Sequence, residues 1–349
     1  MNLVKKIYTK NILAALDYGA ETVVVLIAEK KQDGSFRILG AGDAKAQGIE
    51  QGEIAHLGDV TESITEALKK AEVSSGTKVL KLYFNFDDCH TQSVFSSGFA
   101  LLDGEGEICA SDVEAAKKVA ERLAGAFEKH TLYSQEIQFT IDLHDEVASP
   151  IGIFGKRLDV VAHILRARAG YFDLWRRIMQ RAQVARYTPV LSAWSTAYGL
   201  LPKGDRIKKR LILDLGKDFL NIFLFANNRI VRYQIASRQN KSGMILNDQA
   251  IGLIKEFLVL DAALKEVLIT GDLAQDPLIF GMLESQIQIP MRIAAPLGVP
   301  KLHYPQYASL VGLLSVADEI ESKIPILRAE RGVFSNVKQQ AETFINEYF

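Results

Sequence analysis

Two short segments place an aspartate between two apolar strands, and these residues are the best candidates in the chain for binding a ligand. The first segment reads ILAALDYG over residues 12–19, and the second reads LILDLG over residues 211–216. Each is followed by a second apolar run, so each predicts a tight hairpin with a carboxylate, Asp17 or Asp214, at its turn. Carboxylates in such turns either hold a metal ion or cap the turn itself.

The two aspartates lie 197 positions apart (17 to 214), and each hairpin opens one half of the chain. This repetition predicts two related α/β lobes that face one another across a cleft. The arrangement resembles the superfamily of actin, sugar kinases and Hsp70, in which the hairpins hold the phosphates of a nucleotide and the aspartates hold its metal ion through water. A chain of 349 residues also exceeds what one hydrophobic core usually supports, which favours at least two lobes.

Bulk properties narrow the class of protein. The formal net charge is −1, which argues against nucleic acid as the main partner. Cys89 and Cys109 are the two cysteines, and the sequence shows neither an N-terminal signal pattern nor an apolar run of about 18 residues. We therefore expect an intracellular protein that is not integral to a membrane.

Further segments follow one another in the order found in FtsA, the actin-like division protein of bacteria. SPIGIFGKRLDV at residues 149–160 resembles that family's DPLGMxGxxLEV segment, and NDQA at residues 247–250 resembles its NDIA segment. Other matching segments are residues 12–27, LGAG at 39–42, GIEQGEI at 48–54 and a predicted helix from Val60 to Ala71. The chain thus resembles the FtsA family, as a divergent member, over most of residues 11–320.

The resemblance implies an α/β, actin-like (ribonuclease H-like) two-lobed fold with an inserted subdomain of the FtsA type, an SHS2 domain. The implied segments are lobe one in two parts (1–83 and 163–202), the inserted subdomain (84–162), lobe two (203–325) and a linker with a C-terminal helix (326–349). In lobe two, 23 positions separate Asn247 from Thr270, where FtsA has several dozen residues that build a further subdomain. The sequence therefore predicts that this lobe-two insertion is missing.

Local patterns predict the elements that would position these motifs. In the inserted subdomain a helix is predicted from Ser111 to Lys129, beginning with a capping box formed by Ser111 and Glu114. The last helix of lobe two is predicted from Tyr307 to Ile320. The remaining predictions are strands over 137–143, 158–164 and 266–270, and helices over 171–185, 192–201 and 247–258.

The resemblance also implies where a nucleotide would bind, and the chain departs from the family there. The corresponding residues are Asp17, Gly19, Asp214, Gly216 and Gly271. The family's first hairpin reads DIGTSK, whereas this chain has Ala20 in place of a hydroxyl and Glu21 near the expected phosphate. The second reads DIGGGTTD, whereas Lys217 and Asp218 replace two glycines here. A phosphate cradle needs glycines and hydroxyls or cations, so both changes weaken it.

Two further motifs differ from the family in ways that also weaken nucleotide binding. Ser192 stands where the family motif LEPxAS has a glutamate that helps position water or metal, and Asp272 replaces a glycine of LTGGGA. Together the four changes predict a vestigial nucleotide site with no catalytic residues and no cofactor, in which Asp17 and Asp214 cap their turns. Binding of Mg-ATP is the alternative.

Potential metal ligands occur in the inserted region without a recognisable spacing. They are Cys89, His90, Cys109, His130 and His144, and they form neither a C-x-x-C nor an H-x3-H pattern. The sequence therefore predicts no metal site.

The C-terminal segment has the pattern of an amphipathic helix. Seven apolar residues fall on one stripe of a 3.6-residue helix: Val333, Phe334, Val337, Phe344, Ile345, Tyr348 and Phe349. Such stripes usually pack into a core, but this one follows a polar linker. FtsA ends in a helix that lies in the inner face of the membrane, so the resemblance implies a peripheral membrane protein on the cytoplasmic side.

These observations predict an FtsA-like scaffold that tethers or organises division proteins at the membrane without ATP hydrolysis. Its expected partners are the membrane surface, other copies of itself in a polymer, and division proteins. FtsZ docking is doubtful, because FtsA binds FtsZ through the lobe-two insertion. Two alternatives stay open: an ATPase whose polymerisation is gated by nucleotide, and a scaffold of another envelope machine, like PilM of type IV pili.

Overall fold

The described residues form three larger β-sheets, each with helical packing on it, and a two-stranded sheet of β4 and β5. The structure, a computed structural model, describes residues 12–125, 128–237, 246, 248–259 and 264–323. In chain order the strands are β1 (Ile12–Tyr18), β2 (Thr22–Lys30), β3 (Phe36–Lys45), β4 (Ile49–Glu50), β5 (Glu53–Ile54), β6 (Lys81–Phe86), β7 (Gln92–Glu107), β8 (Lys129–Ile141), β9 (Asp145–Val147), β10 (Phe154–Arg168), β11 (Arg186–Leu191), β12 (Arg210–Leu215), β13 (Phe219–Ala226), β14 (Arg229–Ser237), β15 (Val267–Thr270) and β16 (Met291–Ile293). The helices are α1 (Leu57–Ser75), α2 (Ala110–Leu123), α3 (Ala169–Arg181), α4 (Ser192–Leu200), α5 (Asp248–Val259), α6 (Pro277–Gln286) and α7 (Ala308–Lys323). Among the described helices, none is both long and apolar enough to cross a bilayer.

Two of the sheets repeat one topology. The lobe-one sheet has the order β3-β2-β1-β6-β11, and the lobe-two sheet has the order β14-β13-β12-β15-β16. In both, the first hairpin strand pairs antiparallel with the next strand and parallel with the strand on its other side. The duplication predicted from the two hairpins is therefore confirmed, and the fold is actin-like.

Apolar residues on both faces of the hairpin strands explain why helices cover them. Leu13 to Leu16 are buried in β1, as expected for a strand enclosed on both sides. On one side lies α1, which buries Val60, Ile64 and Ala71 in agreement with its predicted amphipathic pattern. Gly42 lets this helix lie close to β3, because a Cβ there would be 2.1 Å from the carbonyl oxygen of Ala67.

The inserted subdomain is a separate sheet of order β7-β10-β8-β9 with α2 on one face. Its boundaries differ from the expected 84–162, because β6 belongs to lobe one as far as Phe86 and β10 continues to Arg168. The strand ladder therefore occupies residues 92–168.

The predicted start and end of the inserted helix are wrong. Helix α2 begins at Ala110, and the Asp112 carboxylate accepts a hydrogen bond from the Cys109 N–H at 2.8 Å, so Ser111 and Glu114 are not its capping pair. It ends at Leu123, and Gly125 has a positive φ of 32°. The residues near 129, predicted to be helical, form the start of β8, where tertiary pairing with β10 outweighs helix propensity.

Between α5 and β15, the described residues of lobe two contain no additional subdomain, as the sequence predicts. Helix α5 ends at Val259 and β15 begins at Val267, so seven residues (260–266) separate them. This length is too short for a sheet-bearing insertion. Helix α6 was not predicted, although Asp276 and Pro277 are a recognisable start signal: the Asp276 carboxylate accepts hydrogen bonds from the backbone N–H groups of Leu278 and Ile279.

The last described helix, assigned to lobe two from sequence, instead packs on lobe one. Near the C-terminal end of α7, Glu321 accepts a hydrogen bond from the Tyr83 hydroxyl at 2.6 Å and pairs with Lys81 at 2.9 Å. The assignment of residues 308–323 to lobe two is therefore wrong. The order of the elements in the sequence cannot show which lobe this helix packs on, because an apolar helix face fits either sheet.

Helices α4 and α7 cross in backbone contact between the lobes. A Cβ on Gly312 would lie 1.7 Å from the carbonyl oxygen of Ser195, and one on Gly199 would lie 2.1 Å from that of Ala308. Real side chains do not approach backbone atoms this closely, so the two glycines fix the crossing. The core around these helices joins lobe-one residues such as Leu16 to lobe-two residues such as Phe223.

Candidate functional site

Four carboxylates meet at the edge where both hairpin sheets face the cleft. Asp17 and Asp214 lie near the ends of β1 and β12, while Asp87 and Asp272 follow the neighbouring parallel strands β6 and β15. All four line a cavity of about 220 Å³. Sequence reasoning missed Asp87, although the ends of neighbouring parallel strands lie at one edge of a sheet, and this rule could have identified it.

The hairpin carboxylates accept hydrogen bonds from residues on other elements. Asn85 Nδ2 donates to Asp17 Oδ1 at 3.0 Å, and Ser309 Oγ donates to Asp17 Oδ2 at 3.0 Å. Thr196 Oγ1 donates to Asp214 Oδ2 at 2.9 Å. Through Ser309 and Thr196, the two aspartates connect the hairpins to the crossing helices α7 and α4. That they also cap their own turns stays a prediction.

Burial, together with neighbouring carboxylates, favours the protonated forms of the carboxyl groups in this cleft. Burial, with a smaller contribution from Asp87, Asp272 and Asp17, raises the pKa of Asp214 to about 7 despite the hydrogen bond from Thr196. Burial raises the pKa of Asp87 to about 6, and the pKa values of Asp17 and Asp272 also lie above their ordinary range for the same reason. Among the described atoms, Asp87 Oδ1 is buried without a hydrogen-bond partner.

The residues expected to form the nucleotide site come together around this cavity. Asp17, Gly19, Asp214, Gly216 and Gly271 all line it. Gly271 has a φ of +94°, and a Cβ there would lie 2.5 Å from Asp214 Oδ1. This glycine is therefore required for the packing of its turn against the second hairpin.

The mouth of the cavity is bridged by side chains from both lobes. Glu21 of the first hairpin forms an ion pair with Lys217 of the second. The two side chains are 72% and 37% exposed, so the pair adds little stability, but it occupies the space between the two hairpin turns. Beside it, the ring of Phe219 packs on Gly52, where a Cβ would lie 2.7 Å from Phe219 Cε2.

Ser192, which replaces the family's glutamate, begins helix α4 at the cavity wall. Its hydrogen bond to Asp87 lowers the pKa of that carboxyl, against the larger effect of burial. The serine thus partners an existing carboxylate and supplies none of its own. The predicted membrane-binding residues, Val333, Phe334, Val337, Phe344, Ile345, Tyr348 and Phe349, lie outside the described residues.

Comparison with known proteins connects the inserted sheet to one family. The family model described as "SHS2 domain inserted in FTSA" matches residues 89–166. Cell division protein FtsA of Borreliella burgdorferi is 24% identical over 218 residues, which is 62% of this chain and 53% of that protein. FtsA of Pseudomonas aeruginosa is 22% identical over 219 residues, with 63% and 52% covered. The chain spans about half the length of the curated relatives it matches.

Among solved structures, a chain of the PilM-PilN type IV pilus biogenesis complex superposes with a TM-score of 0.61 at 13% sequence identity. The match covers 87% of this chain and 98% of that one, so it supports the fold. The sequence relatives carry more information, because their alignments of about 220 residues extend well beyond the 78 residues of the inserted domain (89 to 166). The chain is therefore similar in sequence to FtsA proteins over about 62% of its length, and it contains a match to the domain inserted in them.

Proposed function

We propose that this protein is an actin-fold scaffold of bacterial cell division that associates with the membrane and does not hydrolyse ATP. The observation that carries the proposal is the bridged mouth of the cleft. In this chain an ion pair between Glu21 and Lys217 and the ring of Phe219 occupy the gap between the hairpins. Side chains from both lobes thus meet at the place where the family's phosphates would lie.

The residues present do not fit a magnesium nucleotide, for two reasons. The cavity of about 220 Å³ is smaller than the roughly 300–1,000 Å³ typical of small-molecule sites. A phosphate chain would also have to separate Lys217 from Glu21 and then approach Asp218 and Asp272. Each such anion a few Å away opposes phosphate by on the order of 1 to 4 kcal/mol. We therefore assign no reaction step to the cleft.

Membrane association would come from the C-terminal segment. The described chain ends at Lys323, ten positions before Val333 begins the apolar stripe. Burying five large apolar side chains at about 1.5 to 3 kcal/mol each is opposed by the cost of ordering the helix, so one copy would bind weakly. Several copies in a polymer would bind stably, because each raises the effective concentration of the next.

A fluorescent fusion of the full chain should form a membrane-associated band at the division site. The double substitution Phe344→Asp and Ile345→Asp should disperse this band and abolish sedimentation with liposomes, because it places two charges on the apolar stripe. The matched control, Gln339→Asp with Asn346→Asp, adds the same charges to the polar face and should keep both properties. A body that unfolds in the first variant, or a first variant that still pellets with liposomes, would contradict the tether.

The same fusion also distinguishes a division scaffold from a scaffold of another envelope machine. The superposition on a chain of the PilM-PilN complex gives this alternative its structural basis, because it covers 98% of that chain. A division scaffold should lose its band when FtsZ is depleted, even if it reaches FtsZ only through other proteins. A fusion that stays at another envelope site regardless of FtsZ would overturn the division role.

A further inference from the structure

A carboxylate, a thiol and an imidazole meet at the junction between lobe one and the inserted sheet. Glu53 lies on the short strand β5, and Cys89 and His90 lie in the link from β6 to β7. Glu53 Oε1 is 3.6 Å from Cys89 Sγ and 3.1 Å from His90 Nε2. All three possible ligand atoms lie within 4.8 Å of one another.

The two separations from Glu53 Oε1 are close to those of a tetrahedral zinc centre. With zinc about 2.3 Å from sulfur and about 2.0 Å from nitrogen or oxygen, neighbouring ligand atoms are roughly 3.3 to 3.5 Å apart. The measured 3.6 Å and 3.1 Å each differ from this range by a few tenths of an ångström at most. A modest rotation of the exposed His90 side chain, whose ring belongs to no buried core, would complete the geometry.

Arg168 holds the carboxylate in place. Its Nη1 donates to Glu53 Oε1 at 2.8 Å and its Nη2 donates to Glu53 Oε2 at 3.1 Å, while Nη2 also donates to Asp88 Oδ1 at 2.7 Å. Each carboxylate oxygen accepts at two lone pairs, so Glu53 Oε1 can bind a metal while it keeps the bond from Arg168. Such outer partners orient the ligands of metal sites.

The charges also balance around a divalent cation. Asp88 is fully buried, and its carboxylate neutralises Arg168. On binding the ion, the Cys89 thiol would release its proton to solvent, as thiol ligands of zinc do. Glu53 and the thiolate then carry two negative charges, which one zinc ion would neutralise. On the open side, Cys89 and His90 line a cavity of about 480 Å³, which has room for a water molecule as the fourth ligand.

We propose that Glu53, Cys89 and His90 bind a zinc ion, with water as the fourth ligand. The site ties the loop of lobe one to the first strand of the inserted sheet. It adjoins the contact that crosses the cleft, because Gly52 packs on both Phe219 and Cys89. The sequence pattern predicted no metal site because Glu53 is 36 positions from Cys89, a separation that no short motif contains.

The test uses the full chain, freed of any affinity tag, loaded with Zn²⁺ and then desalted. Metal analysis should find about one zinc per chain, and Co²⁺ should give a thiolate-to-cobalt charge-transfer band. Cys89→Ser should remove the band and weaken zinc binding at least tenfold. Cys109→Ser is the matched control, because Cys109 is the other cysteine of the chain and lies outside the cluster, and it should bind like the parent.

Circular dichroism verifies that each variant is folded. His90→Ala is a second test variant, at an exposed side chain, and this substitution should also weaken zinc binding at least tenfold. Zinc well below one equivalent in the parent would overturn the proposal. Equal retention of zinc by the parent, Cys89→Ser and His90→Ala would overturn it as well. Neither result bears on division or on nucleotide binding.

Discussion

Gly312→Ala should destabilise the folded chain by at least about 3 kcal/mol, at the upper end of the range for overpacked cores. The added Cβ would lie 1.7 Å from the carbonyl oxygen of Ser195 and 2.5 Å from the backbone nitrogen of Gly199. Both are backbone atoms of a buried helix, so relief requires helices α4 and α7 to separate. Because these helices join the cores of the two lobes, the loss should appear as a lower midpoint of urea unfolding for the whole chain.

Gly281→Ala is the matched control for this substitution. Gly281 is an exposed glycine of helix α6, and nothing lies within 4 Å of the position that a Cβ would take there. The same chemical change should there stabilise the protein by up to about 1 kcal/mol, since alanine favours helix. Equal midpoints of urea unfolding for the two variants would show that helices α4 and α7 are not in the close contact described.

The contribution of Asp214 to stability should fall as the pH rises from about 4 to about 7, and Asp214→Asn should remove this contribution. Burial raises the pKa of Asp214 to about 7 from its ordinary 3.8. The folded chain therefore keeps a proton that the unfolded chain has released, so stability is full below the unfolded pKa and is lost as pH rises through the folded one. Each unit of pKa difference corresponds to about 1.4 kcal/mol.

Urea unfolding at several pH values checks this prediction. The stability difference between parent and Asp214→Asn should change by on the order of 2 to 4 kcal/mol between about pH 4 and pH 8, with the variant relatively more stable at the higher pH. Asparagine keeps an oxygen that can accept the bond from Thr196. Asp205→Asn is the control, because Asp205 is exposed and Lys208 lowers its pKa. A difference independent of pH would show that the carboxylates are not coupled as described.

Local sequence patterns predict the repeated parts of the fold well. Each hairpin combines an alternating or continuous apolar run with a short glycine turn, and helix α1 carries its core residues at helical spacing, so short windows are sufficient. The short gap between Asn247 and Thr270 likewise predicts the missing insertion from length alone. Errors occur where contacts between residues distant in the sequence determine the structure. Pairing with β10 makes the residues near 129 part of strand β8, and α7 packs on lobe one instead of lobe two.

The candidate site was predictable in position but not in its contacts. Asp17 and Asp214 stand out because their hairpins repeat, and the changed residues Glu21 and Lys217 are visible when the hairpins are compared with the family. That these two side chains pair with one another depends on how the lobes face each other, which no local pattern contains. Asp87 belongs to no motif, and its role in the cluster follows from strand order.

Titration of Mg-ATP into the full chain by calorimetry tests the central claim, that side chains rather than a nucleotide close the cleft. We expect no saturable heat, because Glu21, Lys217 and Phe219 occupy the gap between the hairpins and the cavity behind them is bordered by carboxylates. The same protein sample should retain its cooperative unfolding, which shows that it is folded. A dissociation constant in the low micromolar range would contradict the claim.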